Sequence, residues 1–122
     1  MKQLLILLIF FVVGCADDDK KASTNDTIVE ANVDGKRLFN SMCISCHQLD
    51  KDFTGPILKG SLKRWGGDKK AMYSFIRNPM ESVQKNAYAK KIYEKWNKTN
   101  MTAFPLSDAQ LDAIMKYVET GK

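Results

Sequence analysis

Residues 43–47 read Cys-Ile-Ser-Cys-His and hold the only histidine of the chain and two of its three cysteines. Whatever fold the 122 residues adopt must present these soft donors on one short turn. A zinc site would need four ligands, and no second Cys/His pair follows downstream. A thioredoxin-like C-x-x-C would need an α/β scaffold, and no hydrophobic strand pattern follows the greasy N-terminal run. A structural disulfide across so tight a spacing would leave His47 without a task.

C-x-x-C-H is the attachment pattern of c-type haem. The spacing follows from the chemistry. The thiols of Cys43 and Cys46 add across the two haem vinyl groups as thioethers. The next residue, His47, is then held beneath the iron with one imidazole nitrogen on the metal. One turn fixes the haem edge and an axial ligand together.

Attachment of this kind demands an extracytoplasmic location, and the start of the chain supplies it. Lys2 gives a short positive region, and Leu4 to Val13 is an apolar run too short to span a bilayer, as in a signal peptide. Val12-Val13-Gly14-Cys15 resembles a bacterial lipobox, in which the cysteine receives a diacylglycerol and becomes the mature N-terminus. The competing readings are a cysteine that merely follows a signal sequence and a plain N-terminal membrane anchor. The expected organisation is a signal peptide over 1–14, a lipidated Cys15 with a polar, acidic tether over 15–32, and a folded domain over 33–122. Asp17-Asp18-Asp19-Lys20 resembles an acidic export signal for surface lipoproteins, and reads equally as a charged spacer. The expected location is therefore periplasm-facing or cell-surface, on a bacterial outer membrane.

A domain of about 90 residues gains greatly from a large apolar cofactor that completes its core. Cleavage after residue 14 removes only Lys2 among the charged groups, leaving 18 basic against 14 acidic residues, net +4. That mild excess suits docking on acidic protein surfaces. Arginine occurs only at Arg37, Arg64 and Arg77, so there is no arginine-rich nucleic-acid groove.

Around the motif the pattern is helical. Leu38 and Met42 are four apart, as are Phe39 and Cys43, on a stretch that Asp34 can cap. Ser107-Asp108-Ala109-Gln110 is a capping box, followed by Leu111, Ile114, Met115 and Val118 at helical spacing. With C-x-x-C-H between them, residues 34–120 resemble a class I, monohaem cytochrome c. The resemblance implies an all-α fold of about four to five helices around one covalently attached haem. It also implies that the first and last helices cross at Gly35, Phe39 and Tyr117. Phe53-Thr54-Gly55-Pro56-Ile57-Leu58-Lys59-Gly60 resembles the family's G-P-x-L-x-G stretch. Its proline carbonyl, here Pro56, accepts a bond from the far nitrogen of the haem histidine and orients it.

With one histidine, bis-His ligation within the chain is impossible. The soft candidates for the opposite side of the iron are Met72, Met80, Met101 and Met115, with a lysine amine as a minor alternative; Met42 is too close to the motif. Met72 and Met115 lie on apolar helical faces and read as core. Met80 follows Asn78-Pro79, between two helices. Met101 lies in Lys98–Ser107, which resembles the family's M-P-x-F-P ligand loop, with Phe104 and Pro105 in place and Thr102 where proline is usual. The resemblance makes Met101 the expected sixth ligand. A thioether there favours ferrous iron and fills the last coordination site.

Trp65, beside Lys63-Arg64, is a candidate contact for a haem propionate; the alternative is a rim aromatic on a cationic loop. Trp96 reads as packing on a helix over Ser82–Asn97, which also carries Lys91 and Lys95, with Lys98 just beyond and Lys85 and Lys90 nearby. Such a stripe is either a solvated face or a docking surface near the haem edge. The reading expected overall is a membrane-tethered monohaem electron carrier, not an enzyme, that takes no small-molecule substrate. The alternative is a haem c subunit of a dehydrogenase or reductase, or a haem sensor or peroxidase with a labile sixth ligand. No histidine remains for distal acid–base work.

Overall fold

A computed structural model describes residues 33–122. The expected signal peptide, Cys15 and the tether lie outside the described residues. Six α-helices follow in order: α1 Gly35–Met42, α2 Ser61–Arg64, α3 Lys69–Arg77, α4 Pro79–Lys85, α5 Ala87–Lys95 and α6 Asp108–Thr120. There is no strand among the described residues, and no helix there is long and apolar enough to cross a membrane.

Side-chain caps start most of these helices. The Asp34 carboxylate accepts the Arg37 amide at 3.1 Å to begin α1, and Asp68 accepts that of Ala71 at 2.8 Å to begin α3. At α6 the capping box forms in full. The Ser107 hydroxyl accepts from the Gln110 amide at 3.2 Å, and the Gln110 side chain accepts from the Ser107 amide at 2.9 Å.

The frame is the crossing of α1 with α6, the most closely packed pair of helices. A Cβ on Gly35 would lie 1.9 Å from the Ala113 carbonyl oxygen, so only glycine admits the α6 backbone. One turn on, Phe39 meets Tyr117 with ring centroids 5.5 Å apart. Phe39, Leu111, Ile114 and Val118 are buried at this crossing, each adding roughly 1.5–3 kcal/mol of apolar burial. Met72 and Tyr73 of α3 and Leu106 join the same core.

Two expectations are corrected. The single helix expected over Ser82–Asn97 is two helices. Asn86 adopts an extended conformation, and its side-chain oxygen accepts the amides of Tyr88 and Ala89 at 2.9 and 3.0 Å. That local bond competes with the helical ladder and restarts the chain as α5. Met80 is not in the break between helices but inside α4, whose first residue is Pro79. Proline fits there because the first helical amide has no partner to lose. Together with the short α2, the split brings the count to six.

Candidate haem site

The C-x-x-C-H segment extends α1 by a turn. The Cys43 amide donates to the Phe39 carbonyl at 2.8 Å, and the amides of Cys46 and His47 fold back to the Cys43 carbonyl at 3.1 and 2.9 Å. Cys43 is thereby half-buried against the core, Cys46 is exposed, and both are free thiols. Burial, aided by the neighbouring Cys46 thiol, pushes the Cys43 thiol up to about 11. A thiol held protonated is a poor thiolate ligand and a poor partner for disulfide exchange.

His47 is buried, with 9% of its surface exposed. Its Nδ1 lies 2.8 Å from the Pro56 carbonyl oxygen. A carbonyl only accepts, so Nδ1 carries the proton and donates, which leaves Nε2 with its lone pair free for a metal. A loop closed by hydrogen bonds sets this geometry. The Gly55 amide donates to the Cys46 carbonyl at 2.8 Å, and the Asp52 carboxylate accepts from Ile57 at 2.8 Å. The loop presses Gly55 onto the imidazole, where an added Cβ would stand 2.5 Å from Cε1. Arg64 braces the same loop by donating to the carbonyls of Lys59, at 2.8 Å, and Ile57. The amides of Leu58 and Lys59 bond the carbonyls of Gln48 and Leu49 at 3.1 and 2.9 Å. The sequence pointed to Pro56; it gave no sign that Gly55 floors the imidazole or that Asp52 and Arg64 hold the loop. The one available signal was the glycine directly preceding the proline.

The structure thus gathers Cys43, Cys46, His47 and Pro56 into one cluster. Met101 stands apart from it in sequence and is half-buried in the loop between α5 and α6. That loop leaves α5 through two consecutive left-handed residues, Asn97 (φ 53°) and Lys98 (φ 58°). It rejoins the core where the Phe104 amide donates to Ile76 at 3.0 Å and Arg77 donates to the Leu106 carbonyl at 2.8 Å. The competing methionines are placed otherwise. Met72 is buried in the core, Met115 packs against it, and Met80 is exposed on α4. Trp65 packs against Tyr88 edge-on at 5.0 Å and against Phe75 at 5.4 Å. Trp65 also leans on the same core cluster as Cys43, Leu58 and Phe104.

The donor set and the core both fit haem. Among the described residues no three His, Cys, Asp or Glu side chains gather as a metal cage. His47 therefore suits an iron that brings its own equatorial ligands. Among the described residues only eight hydrophobic residues are buried, while eleven more, from Leu38 to Tyr117, are only partly covered against the core. A large apolar ring is what such a core lacks.

A family model described as Cytochrome c matches residues 33–122. Among solved structures, the chain is similar to a cytochrome c from Rhodothermus marinus, with 30% identity, TM-score 0.60 and 86% of each chain covered. An engineered form of that protein, Rma TDE, gives 28% identity and TM-score 0.60 over 86% of this chain and 87% of that one. The same engineered protein bound to a carbene intermediate gives TM-score 0.57 at 28% identity, with the same coverage. A search of curated proteins returned no match. The all-helical fold, the glycine-spaced crossing of α1 and α6, the paired cysteines beside His47 and the family match lead to one conclusion: the chain belongs to the cytochrome c family, binds haem c covalently through Cys43 and Cys46, and serves haem-based electron transfer.

Proposed function

We propose that the protein is a membrane-tethered monohaem electron carrier whose iron is ligated by His47 and Met101. The observation that carries this reading is the His47–Pro56 bond, which fixes the tautomer and leaves Nε2 free to take a metal. Met101 is supported by exclusion as well as by its loop. Of the other candidates, Met72 and Met115 are committed to packing and Met80 faces solvent. The haem supplies the one-electron couple. The chain's residues hold it, exclude water from it and keep its imidazole ligand from turning. A filled sixth site leaves no position for substrate on the iron, so the role is a carrier's and not an enzyme's.

Trp65 is proposed to close the propionate edge. Arg64 is committed to the carbonyls of Ile57 and Lys59. Lys90, Lys91, Lys95 and Lys98 are exposed and form no ion pair among the described residues. They offer a positive surface to acidic redox partners in the extracytoplasmic space. Lipidation at Cys15, at the end of a signal peptide over 1–14, would tether the domain through residues 16–32 to the membrane. Oxidised wild-type protein should show a sulfur-to-iron charge-transfer band that disappears in Met101→Ala. A high-spin spectrum in the wild type, shifting readily with cyanide, would overturn the proposed ligation.

A further inference from the structure

We infer that Ser61 binds the haem directly, donating its hydroxyl proton to a haem propionate. Ser61 is 7% exposed, and its Oγ is the sole buried side-chain polar atom without a hydrogen-bond partner among the described residues. A buried hydroxyl left unpartnered costs about 1–3 kcal/mol, so such an atom calls for an acceptor. No acceptor among the described residues lies within bonding reach of it, and the neighbouring Glu119 carboxylate is taken by the Gly60 amide at 2.9 and 3.1 Å. The Ser61 amide is used on the Leu58 carbonyl at 2.8 Å, and its own carbonyl accepts from the Trp65 amide at 3.0 Å. The Ile57 carbonyl, one helical turn back, accepts from Arg64. Its sequence neighbours Leu58, Leu62 and Trp65 are apolar and pack against the core.

The position also suits the ligand. Pro56 holds His47, and Leu58 and Lys59 bond to the residues just after the attachment motif. Ser61 follows at once, where this wall of the haem-binding core turns into α2. Haem is apolar except at its iron and its two carboxylates, so a carboxylate is the acceptor that haem brings to a buried hydroxyl. Of the cations nearby in sequence, Lys59 and Lys63 are exposed, and Arg64 is already committed to the carbonyls that brace the loop. The neutral Ser61 donor therefore does what that cation does not. It partly screens the propionate charge from the iron and so favours the ferrous state.

The inference rests on haem attachment at Cys43 and Cys46 and is independent of Met101. It is tested on the haem-loaded protein with Ser61→Ala and Ser61→Thr, reading the propionate bending band by resonance Raman and the midpoint potential by titration. In Ser61→Ala the band should shift and the potential should fall. In Ser61→Thr, which keeps the hydroxyl, both should return towards wild type. An Ser61→Ala protein with an unshifted band and an unchanged potential overturns the inference and leaves the hydroxyl to a buried water. A threonine variant that keeps the wild-type visible haem spectrum but restores neither readout also overturns it.

Discussion

Gly55 lies against the imidazole of His47 with no room for a methyl group, because a Cβ would stand 2.9 Å from Nδ1 and 3.0 Å from Nε2 as well as 2.5 Å from Cε1. Gly55→Ala should push the ring off the Pro56 carbonyl and forfeit a hydrogen bond worth about 1 kcal/mol. Chemical denaturation of the haem protein should show at least that loss, and redox titration should show a shifted potential. An unchanged midpoint in both would mean that the loop yields and the contact does not matter. The residue scale is also where the sequence was most and least readable. Cys43, Cys46 and His47 could be named because covalent attachment fixes their spacing, and Pro56 because the segment around it resembles the family's G-P-x-L-x-G stretch. Asp52, Arg64 and the packing role of Gly55 could not. Each acts through a distance set only when residues 46–64 close into a loop, and no periodicity encodes that closure.

Two helix contacts carry the frame. Gly35→Ala would drive a methyl group into the Ala113 backbone, which cannot rotate away as a side chain does, and should cost roughly 3 kcal/mol by denaturation. The second contact joins α3 to α6, where the Tyr73 hydroxyl donates to Asp112 at 2.5 Å and Lys69 pairs with the same carboxylate at 2.6 Å. Burial first, and then the Asp112 bond, raise the Tyr73 hydroxyl well above its usual range. A raised value in the folded state means a contribution that is full below the unfolded tyrosine value near 10 and is lost as pH climbs above it. Tyr73→Phe should cost about 1 kcal/mol at neutral pH, and the stability curve of the variant should be flatter than that of wild type above pH ~10. At this scale α1 and α6 were legible from their caps, Asp34 and Ser107. The α4–α5 break was not. Asn86 is an ordinary residue in a helical pattern until its side chain takes the amides of Tyr88 and Ala89. A four-residue α2 is too short to show periodicity at all.

For the whole molecule, the proposed roles of charge and of a lipid anchor at Cys15 concern what the haem can reach. The exposed Lys90, Lys91, Lys95 and Lys98 lie beside the Met101 loop in sequence. Charge-neutral glutamines at all four should slow electron transfer to an acidic partner about tenfold at low salt, and the difference should vanish as ionic strength rises. A rate in wild type that ignores salt would remove steering from the account. Cys15→Ala should move the protein from the membrane to the aqueous fraction without changing its haem spectrum. The all-α fold was readable as a whole because one motif, one capping box and one glycine-proline loop fall in the order this family uses. The partner was not readable, since lysines spaced along a helix look the same whether they meet water or protein. The central claim is His47–Met101 ligation, and redox titration of wild type and Met101→Ala tests it most directly. Loss of a thioether that favours ferrous iron should lower the midpoint potential of the variant clearly below that of wild type. Equal potentials in the two proteins would contradict the account.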